Sequence, residues 1–231
     1  MIYVMGDIHG CYDKYEEMLK RIRFSDDDTL FVLGDVVDRG PEPVKALRDM
    51  AMRGNVYPIL GNHEIMMLDV LEPLLVEITE DNWSTHLTGE LLHKFSMWQM
   101  DGGDITARQM RALPEEERRD LLDYVKEFPL YEAVDVGDKT FLLVHAGLGN
   151  YRADKKLREY TAEELAFMRP TLGGTYYGDD VVIVAGHTPT KAFGDRWEIV
   201  RSCNAIFMDC GAAFGGKLAC LCLDTMEEFY V

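Results

Sequence analysis

The densest reactive chemistry in this 231-residue chain is Gly34-Asp35-Val36-Val37-Asp38-Arg39-Gly40, directly after the apolar run 30–33 and before Pro41. Two carboxylates and a guanidinium crowd a place where the backbone must bend. The cluster has two readings. It is a buried salt bridge, or it is a site where Asp35 binds metal, Asp38 orients a histidine and Arg39 holds a phosphate. The second reading needs partners, and the chain supplies them. Gly6-Asp7-Ile8-His9-Gly10, Gly61-Asn62-His63-Glu64, His145-Ala146-Gly147 and Gly186-His187-Thr188 each follow an apolar run. Four of the six histidines stand at these junctions, while His86 and His93 lie elsewhere. One histidine after a strand is more often a hydrogen-bonded core residue than a ligand; five such junctions in one chain turn the balance. Asp7, His9, Asp35, Asn62, His145 and His187 offer enough nitrogen and oxygen donors for two divalent ions. Mixed imidazole and carboxylate donors suit Mn, Fe or Zn better than a thiolate or all-oxygen site.

These junctions require strands and turns in a fixed order. Seven apolar runs, 2–5, 30–33, 56–60, 141–144, 181–185, 205–208 and 218–223, read as strands. Most are continuously apolar, as expected of strands covered on both faces. Tyr15, Met18, Leu19 and Ile22 predict a helix after the first strand. Pro41 is read as opening a second helix with Val44, Leu47 and Ala51 inward, and Gly54 as stopping it. Alternation of strand and helix predicts an α/β domain, parallel at its start, with ligands gathering at the carboxyl ends of strands. Residues 65–130 break the rhythm and read as a helical insertion or cap within a single domain, 1–231. Leu91, Leu92, Phe95 and Trp98 form one face there, and Pro114-Glu115-Glu116-Glu117 starts another helix. Thr161 to Glu164 reads as a capping box leading into a further helix.

Composition bounds the function. The net charge of −17 disfavours a nucleic-acid partner, because such binding rests on Lys and Arg neutralising phosphates. A phosphate-bearing substrate must then be drawn in locally, by metals or a few arginines. No run approaches the ~20 apolar residues of a membrane span, no signal peptide is seen, and a cytoplasmic protein is expected. The five cysteines are odd in number and lack paired C-x-x-C spacing, so buried free thiols are expected rather than disulfides or a zinc knuckle.

The ordered set GDIHG, GDVVDRG, GNHE, HAG and GHT resembles the calcineurin-like metallophosphoesterases, in their phosphoprotein phosphatase branch. Compact bacterial and phage-type serine/threonine protein phosphatases and symmetrical dinucleoside tetraphosphate hydrolases are the most similar groups. The resemblance runs from Ile2 to about Leu223, including Trp98 with Gly102-Gly103 and the stretch Asp209-Cys210-Gly211. It implies a β-sandwich of two mixed sheets flanked by helices (αββα) with a helical insertion. It also implies two divalent ions, Mn²⁺ foremost with Fe or Zn as alternatives. Asp7, His9 and Asp35 would hold the first; Asp35, Asn62, His145 and His187 would hold the second. Ions sharing the Asp35 carboxylate stand about 3.5–4 Å apart and hold between them the hydroxide that attacks phosphorus. His63 would protonate the leaving oxygen, Asp38 would fix its tautomer, and Arg39, Arg169 and Asn62 would face the phosphate. For Arg169 a helix C-terminal arginine is the plainer alternative, and for Glu64 a hydrogen-bonding loop stabiliser is preferred. A phosphoserine or phosphothreonine phosphatase is the leading expectation, on length and the lack of an obvious nucleoside-binding segment. Diadenosine tetraphosphate hydrolysis comes second, and a non-catalytic metal-binding scaffold is the contrasting class.

Overall fold

Ten strands arise because apolar runs alternate with turns, and they assemble into two five-stranded sheets in a computed structural model that describes residues 1–75 and 83–231. The strands are β1 (Ile2–Met5), β2 (Thr29–Val32), β3 (Val56–Pro58), β4 (Tyr131–Val136), β5 (Lys139–Val144), β6 (Val181–Ala185), β7 (Val200–Ser202), β8 (Ala205–Phe207), β9 (Ala219–Cys222) and β10 (Glu228–Tyr230). The first sheet runs β10-β9-β1-β2-β3, with β1, β2 and β3 parallel and β9 and β10 antiparallel. The second runs β4-β5-β6-β8-β7, with β5, β6 and β8 parallel and the two edges antiparallel. All five motif junctions follow strands of the two parallel trios, so their polar turns gather along one rim of the sandwich.

The sheets pack through Val4, Leu33 and Ile59 against Phe141, Leu143, Val184 and Ile206. The other face of the first sheet, through Tyr3, Met5, Leu30 and Val32, meets the helices. The outer face of the second sheet is covered by Leu148, Tyr160, Leu165 and Tyr176 from a loop layer with single helical turns. Burial on both faces is why successive residues of β1, β5 and β6 are apolar, whereas β3, at the edge of its sheet, exposes Tyr57. Strands β4, β7 and β10 are absent from the sequence reading for the converse reason. They lie at sheet edges, none is continuously buried, and polar residues interrupt their apolar runs.

The helices are α1 (Tyr12–Arg21), α2 (Pro43–Ala51), α3 (Asn62–Leu71), α4 (Trp83–His86), α5 (Gly89–Trp98), α6 (Asp104–Ala112) and α7 (Glu115–Lys126). Helix α1 buries Tyr15, Met18 and Leu19 as its spacing predicts. Helix α2 starts at Pro43, not Pro41, and turns Met50 inward while Ala51 is exposed. Within 65–130, α5 packs on α3, and α6 and α7 pack on α2. Leu91 and Trp98 are buried there, but Leu92 points outward at 54% exposure. The expected helix after Thr161 is one wide (π) turn, Glu163–Phe167, because Met168 leaves it in extended conformation. Cys11, Cys210, Cys220 and Cys222 are buried free thiols, whereas Cys203 is exposed. Among the described residues no helix is long and apolar enough to cross a membrane.

Candidate metal centre and active site

Asp35 sits in the left-handed region, φ 48°, immediately after β2, with its carboxylate buried between the two sheets. Its oxygens face different ways. Oδ1 lies 3.3 Å from His145 Nε2, and Oδ2 lies 3.4 Å from His9 Nε2. Two groups of potential ligands therefore share this carboxylate. One is Asp35, His145 and His187; the other is Asp35, His9 and His63; within each, the donor atoms lie within 4.8 Å of one another.

The tautomers show what these nitrogens can do. His145 Nδ1 is 2.6 Å from the Leu33 carbonyl, His9 Nδ1 is 3.0 Å from the Val37 carbonyl, and His187 Nε2 is 3.1 Å from the Phe167 carbonyl. A carbonyl only accepts, so each of those nitrogens carries the proton and each opposite nitrogen presents a lone pair. In the group around Asn62, His145 Nε2 and His187 Nδ1 each stand 2.9 Å from Asn62 Oδ1, also an acceptor. Four lone-pair donors thus converge with no proton between them, an arrangement that favours a cation. Burial lowers the pKa of all three rings, His9 to about 3 and His187 to about 4, and keeps them neutral and able to ligate. Asp7 is pushed well up by burial and then by Asp209 and Asp35. The residues fit a pair of divalent ions.

The group around His9 departs from expectation in two details. The tight set contains His63 in place of Asp7; both Asp7 oxygens accept the His187 amide, at 3.2 and 2.9 Å, which ties β1 to the end of β6. Arg39 Nη1 lies 2.5 Å from His9 Nε2, so the guanidinium must leave that lone pair before His9 can bind an ion. Arg39 Nη2 also bonds Asp101 Oδ1 at 2.7 Å, and its guanidinium carbon stands 5.0 Å over the ring of Phe214.

His63, at the start of α3, is 1% exposed. Its Nδ1 lies 2.7 Å from Asp38 Oδ2, while Nε2 is buried without a hydrogen-bond partner and faces Asp35 Oδ2 at 3.9 Å. Burial opposes the charged ring, yet Asp35 and the bond to Asp38 outweigh it and raise the His63 pKa. A protonated Nε2 aimed at the metal group is the geometry of a proton donor. Arg169 is exposed, beyond the π turn rather than at a helix C-terminus, and its charge acts on His187 and Asp209.

Backbone geometry marks the site as strongly as the side chains. His9, Asp35, Asp38, Arg39 and His187 all have positive φ, between 46° and 70°. For non-glycine residues this costs of order 1–2 kcal/mol each and persists where the surroundings over-determine it. Glu64 is one such constraint. Fully buried, it accepts the amides of Asp35, Val36, Val37 and Gly61 at 2.8–3.2 Å, as the loop-stabilising reading expects. Burial, then Asp35, push its carboxyl up to about 7 against those donors. Gly61 and Gly186 are needed for space: a β-carbon would collide with Asp35 Oδ1 at the first and with Asp7 Oδ1 at the second.

Sequence reasoning missed Thr106, whose hydroxyl bonds Asp38, and gave no role to Asp101 or to Asp209, a buried carboxyl raised to about 6 chiefly by burial. None of these has a local signal; each is identified by what it meets across the fold. A cavity of about 650 Å³ lies at the opposite ends of the strands near Lys139, Arg201 and Asp224, and no member of the histidine–carboxylate groups lines it.

The sequence profile of the calcineurin-like phosphoesterases matches residues 1–220. The symmetrical bis(5′-nucleosyl)-tetraphosphatase of Acidovorax ebreus is 32% identical over 165 residues, covering 71% of this chain and 47% of that protein. The asymmetrical bis(5′-nucleosyl)-tetraphosphatase PrpE of Bacillus velezensis is 28% identical, covering 93% of this chain and 86% of its own length. The chain thus spans about half the length of the first symmetrical relatives it matches and most of the asymmetrical one. A solved structure described as a candidate diadenosine tetraphosphatase covers the whole chain with a TM-score of 0.70 at 21% identity, a likeness of fold.

Proposed function

Because the chain belongs to the calcineurin-like phosphoesterase family, we propose that it is a two-metal hydrolase that cleaves bis(5′-nucleosyl) tetraphosphates. The observation that carries the metal chemistry is the convergence of lone pairs from His145, His187, Asn62 and Asp35, with each imidazole proton committed to a backbone carbonyl. Asp35, Asn62, His145 and His187 would hold one ion; Asp7, His9 and Asp35 would hold the other. Mn²⁺ is the first candidate, with Fe or Zn as alternatives. Divalent ions bound there would supply Lewis acidity, lowering the pKa of water and offsetting charge on phosphoryl oxygens. The chain's own groups do the rest. Arg39, once off His9, and Arg169 bind non-bridging phosphate oxygens, with Asn62 facing the same group. His63 gives its Nε2 proton to the leaving oxygen, and the Asp38 carboxylate stabilises the ring while it is charged. The described helices between residues 65 and 130 would act as a cap of the same domain.

The tetraphosphate assignment is supported by the relatives, above all by the one matched along most of both chains. That match removes compactness as an argument for a protein phosphatase, which becomes the competing reading. A side-by-side assay decides between them. The Mn²⁺-loaded protein is expected to turn over diadenosine tetraphosphate at least tenfold faster than a phosphoserine peptide; the reverse order would reject the assignment. The products, two ADP or AMP with ATP, identify the bond cut. For the acid, His63→Asn is expected to slow phenyl phosphate about 10²–10⁴-fold and activated p-nitrophenyl phosphate far less. Equal slowing would mean that His63 gives no proton.

A further inference from the structure

Between α5 and α6 the chain closes over Asp38. Trp98 ends α5, Gln99–Gly103 form a π turn, and Thr106 lies in the first turn of α6. Trp98 Nε1 donates to Asp38 Oδ2 at 2.7 Å. The Thr106 hydroxyl donates to Asp38 Oδ1 at 2.6 Å and accepts the Asp38 amide at 3.0 Å. The Gly102 carbonyl accepts the Arg39 amide at 3.0 Å. Gly102 has φ +100°, and a β-carbon there would stand 2.7 Å from Arg39 Cγ, so this close approach excludes a larger residue. Asp38, Trp98 and Thr106 are all fully buried. The stretch therefore satisfies both amides of the left-handed pair Asp38-Arg39 and loads both oxygens of the carboxylate.

We infer that Thr106 and Trp98 are positioning residues for the reaction, acting on His63 through Asp38. With Oδ1 tied to Thr106 and Oδ2 shared by Trp98 and His63 Nδ1, turning the carboxylate breaks bonds at both oxygens. In a dry pocket such bonds are costly to leave unmade. The plane of the carboxylate fixes the plane of the imidazole, and so the direction of Nε2. The helical insertion thus builds the proton donor as well as covering it. A hydroxyl whose proton goes to Oδ1 and whose lone pair takes the Asp38 amide cannot be replaced by a methyl of the same shape.

This inference rests on the reading of His63 as proton donor, and the test separates the two. Thr106→Val removes the hydroxyl and keeps the shape; Thr106→Ser keeps the hydroxyl; Trp98→Phe removes the second donor together with part of the buried ring and serves if the valine variant does not fold. In Mn²⁺-loaded protein, Thr106→Val is expected to lower kcat on phenyl phosphate about tenfold more than kcat on p-nitrophenyl phosphate, with KM little changed. Trp98→Phe is expected to split the substrates in the same direction, and Thr106→Ser to abolish the split. In Zn²⁺-loaded protein the His63 Nδ1 proton resonance is expected to persist in Thr106→Ser and to shift or broaden in Thr106→Val and Trp98→Phe. Equal slowing of both phosphates with an unmoved resonance overturns the inference, as does a serine variant that behaves like valine. If His63→Asn splits the substrates and neither Thr106→Val nor Trp98→Phe does, only the positioning role fails. If His63→Asn itself does not split them, the proton-donor reading fails and takes this inference with it.

Discussion

At the scale of single residues, Asp35 and Asp101 carry the sharpest consequences. Asp35 presents one oxygen to each ligand group. Asp35→Ala is expected to reduce bound metal from two ions towards none and to remove nearly all turnover, checked by metal analysis on the assayed sample. Two retained ions with normal rates would exclude a shared carboxylate. Asp101 spans the groups proposed to meet the phosphate, with Oδ1 2.7 Å from Arg39 Nη2 and Oδ2 3.5 Å from His63 Nε2. An internal carboxylate there competes with an incoming anion. Two charges about 4 Å apart interact by about 1 kcal/mol in water, so Asp101→Asn is expected to tighten inhibition by inorganic phosphate several-fold. Weaker inhibition would show that Asp101 instead holds Arg39 in place.

At the scale of elements, the junctions after strands are built by distant supports. The π turn Glu163–Phe167 presents the Phe167 carbonyl to His187, and Glu164 anchors the turn through Lys155 Nζ at 2.6 and 2.7 Å and the Thr161 amide at 3.0 Å. Hydrogen bonds from Lys155, then Thr161, hold the Glu164 carboxyl at about 2, below its unfolded value of about 4.3. A depressed carboxylate contributes stability that is present above the unfolded pKa and is lost as pH falls through the folded one. Glu164→Gln is therefore expected to lower the urea midpoint at pH 6 and to flatten its decline between about pH 4.3 and 2. An acid limb as steep as the wild type's would remove Glu164 as its source. Gly61 belongs to the same scale, since any β-carbon there meets Asp35. Gly61→Ala is expected to weaken metal binding more than it lowers Tm, by metal titration and thermal unfolding.

At the scale of the whole molecule, the two parallel trios put the five turns that carry the candidate donors on one rim of a protein with net charge −17. A tetraphosphate approaches that surface against a long-range repulsion that salt screens: the Debye length falls from about 30 Å at 0.01 M to about 8 Å at 0.15 M. kcat/KM for diadenosine tetraphosphate is expected to rise over that range, and more steeply than for the less charged p-nitrophenyl phosphate. A steep fall for the tetraphosphate would show that the positive field of ions and arginines governs approach instead.

What the sequence determined by itself was a set of candidate donors and most of the strands that carry them. Strands buried on both faces must be continuously apolar, and the polar turns that end them keep a fixed place in the chain, so both patterns are local and legible. Strands β4, β7 and β10 were not legible, because polar residues interrupt their apolar runs, while β3, also at an edge, has none within it. Nor were Thr106, Asp101 and Asp209, ordinary residues whose meaning is a distance to something far away in the chain. The tertiary structure alone decided that Asp35 points one oxygen at each group. It also decided that backbone carbonyls of Leu33, Val37 and Phe167 commit the imidazole protons, and that five non-glycine site residues are held left-handed. Residue types name the possible donors; only packed backbone, by choosing which nitrogen keeps its proton, decides which lone pairs are left to face a cation.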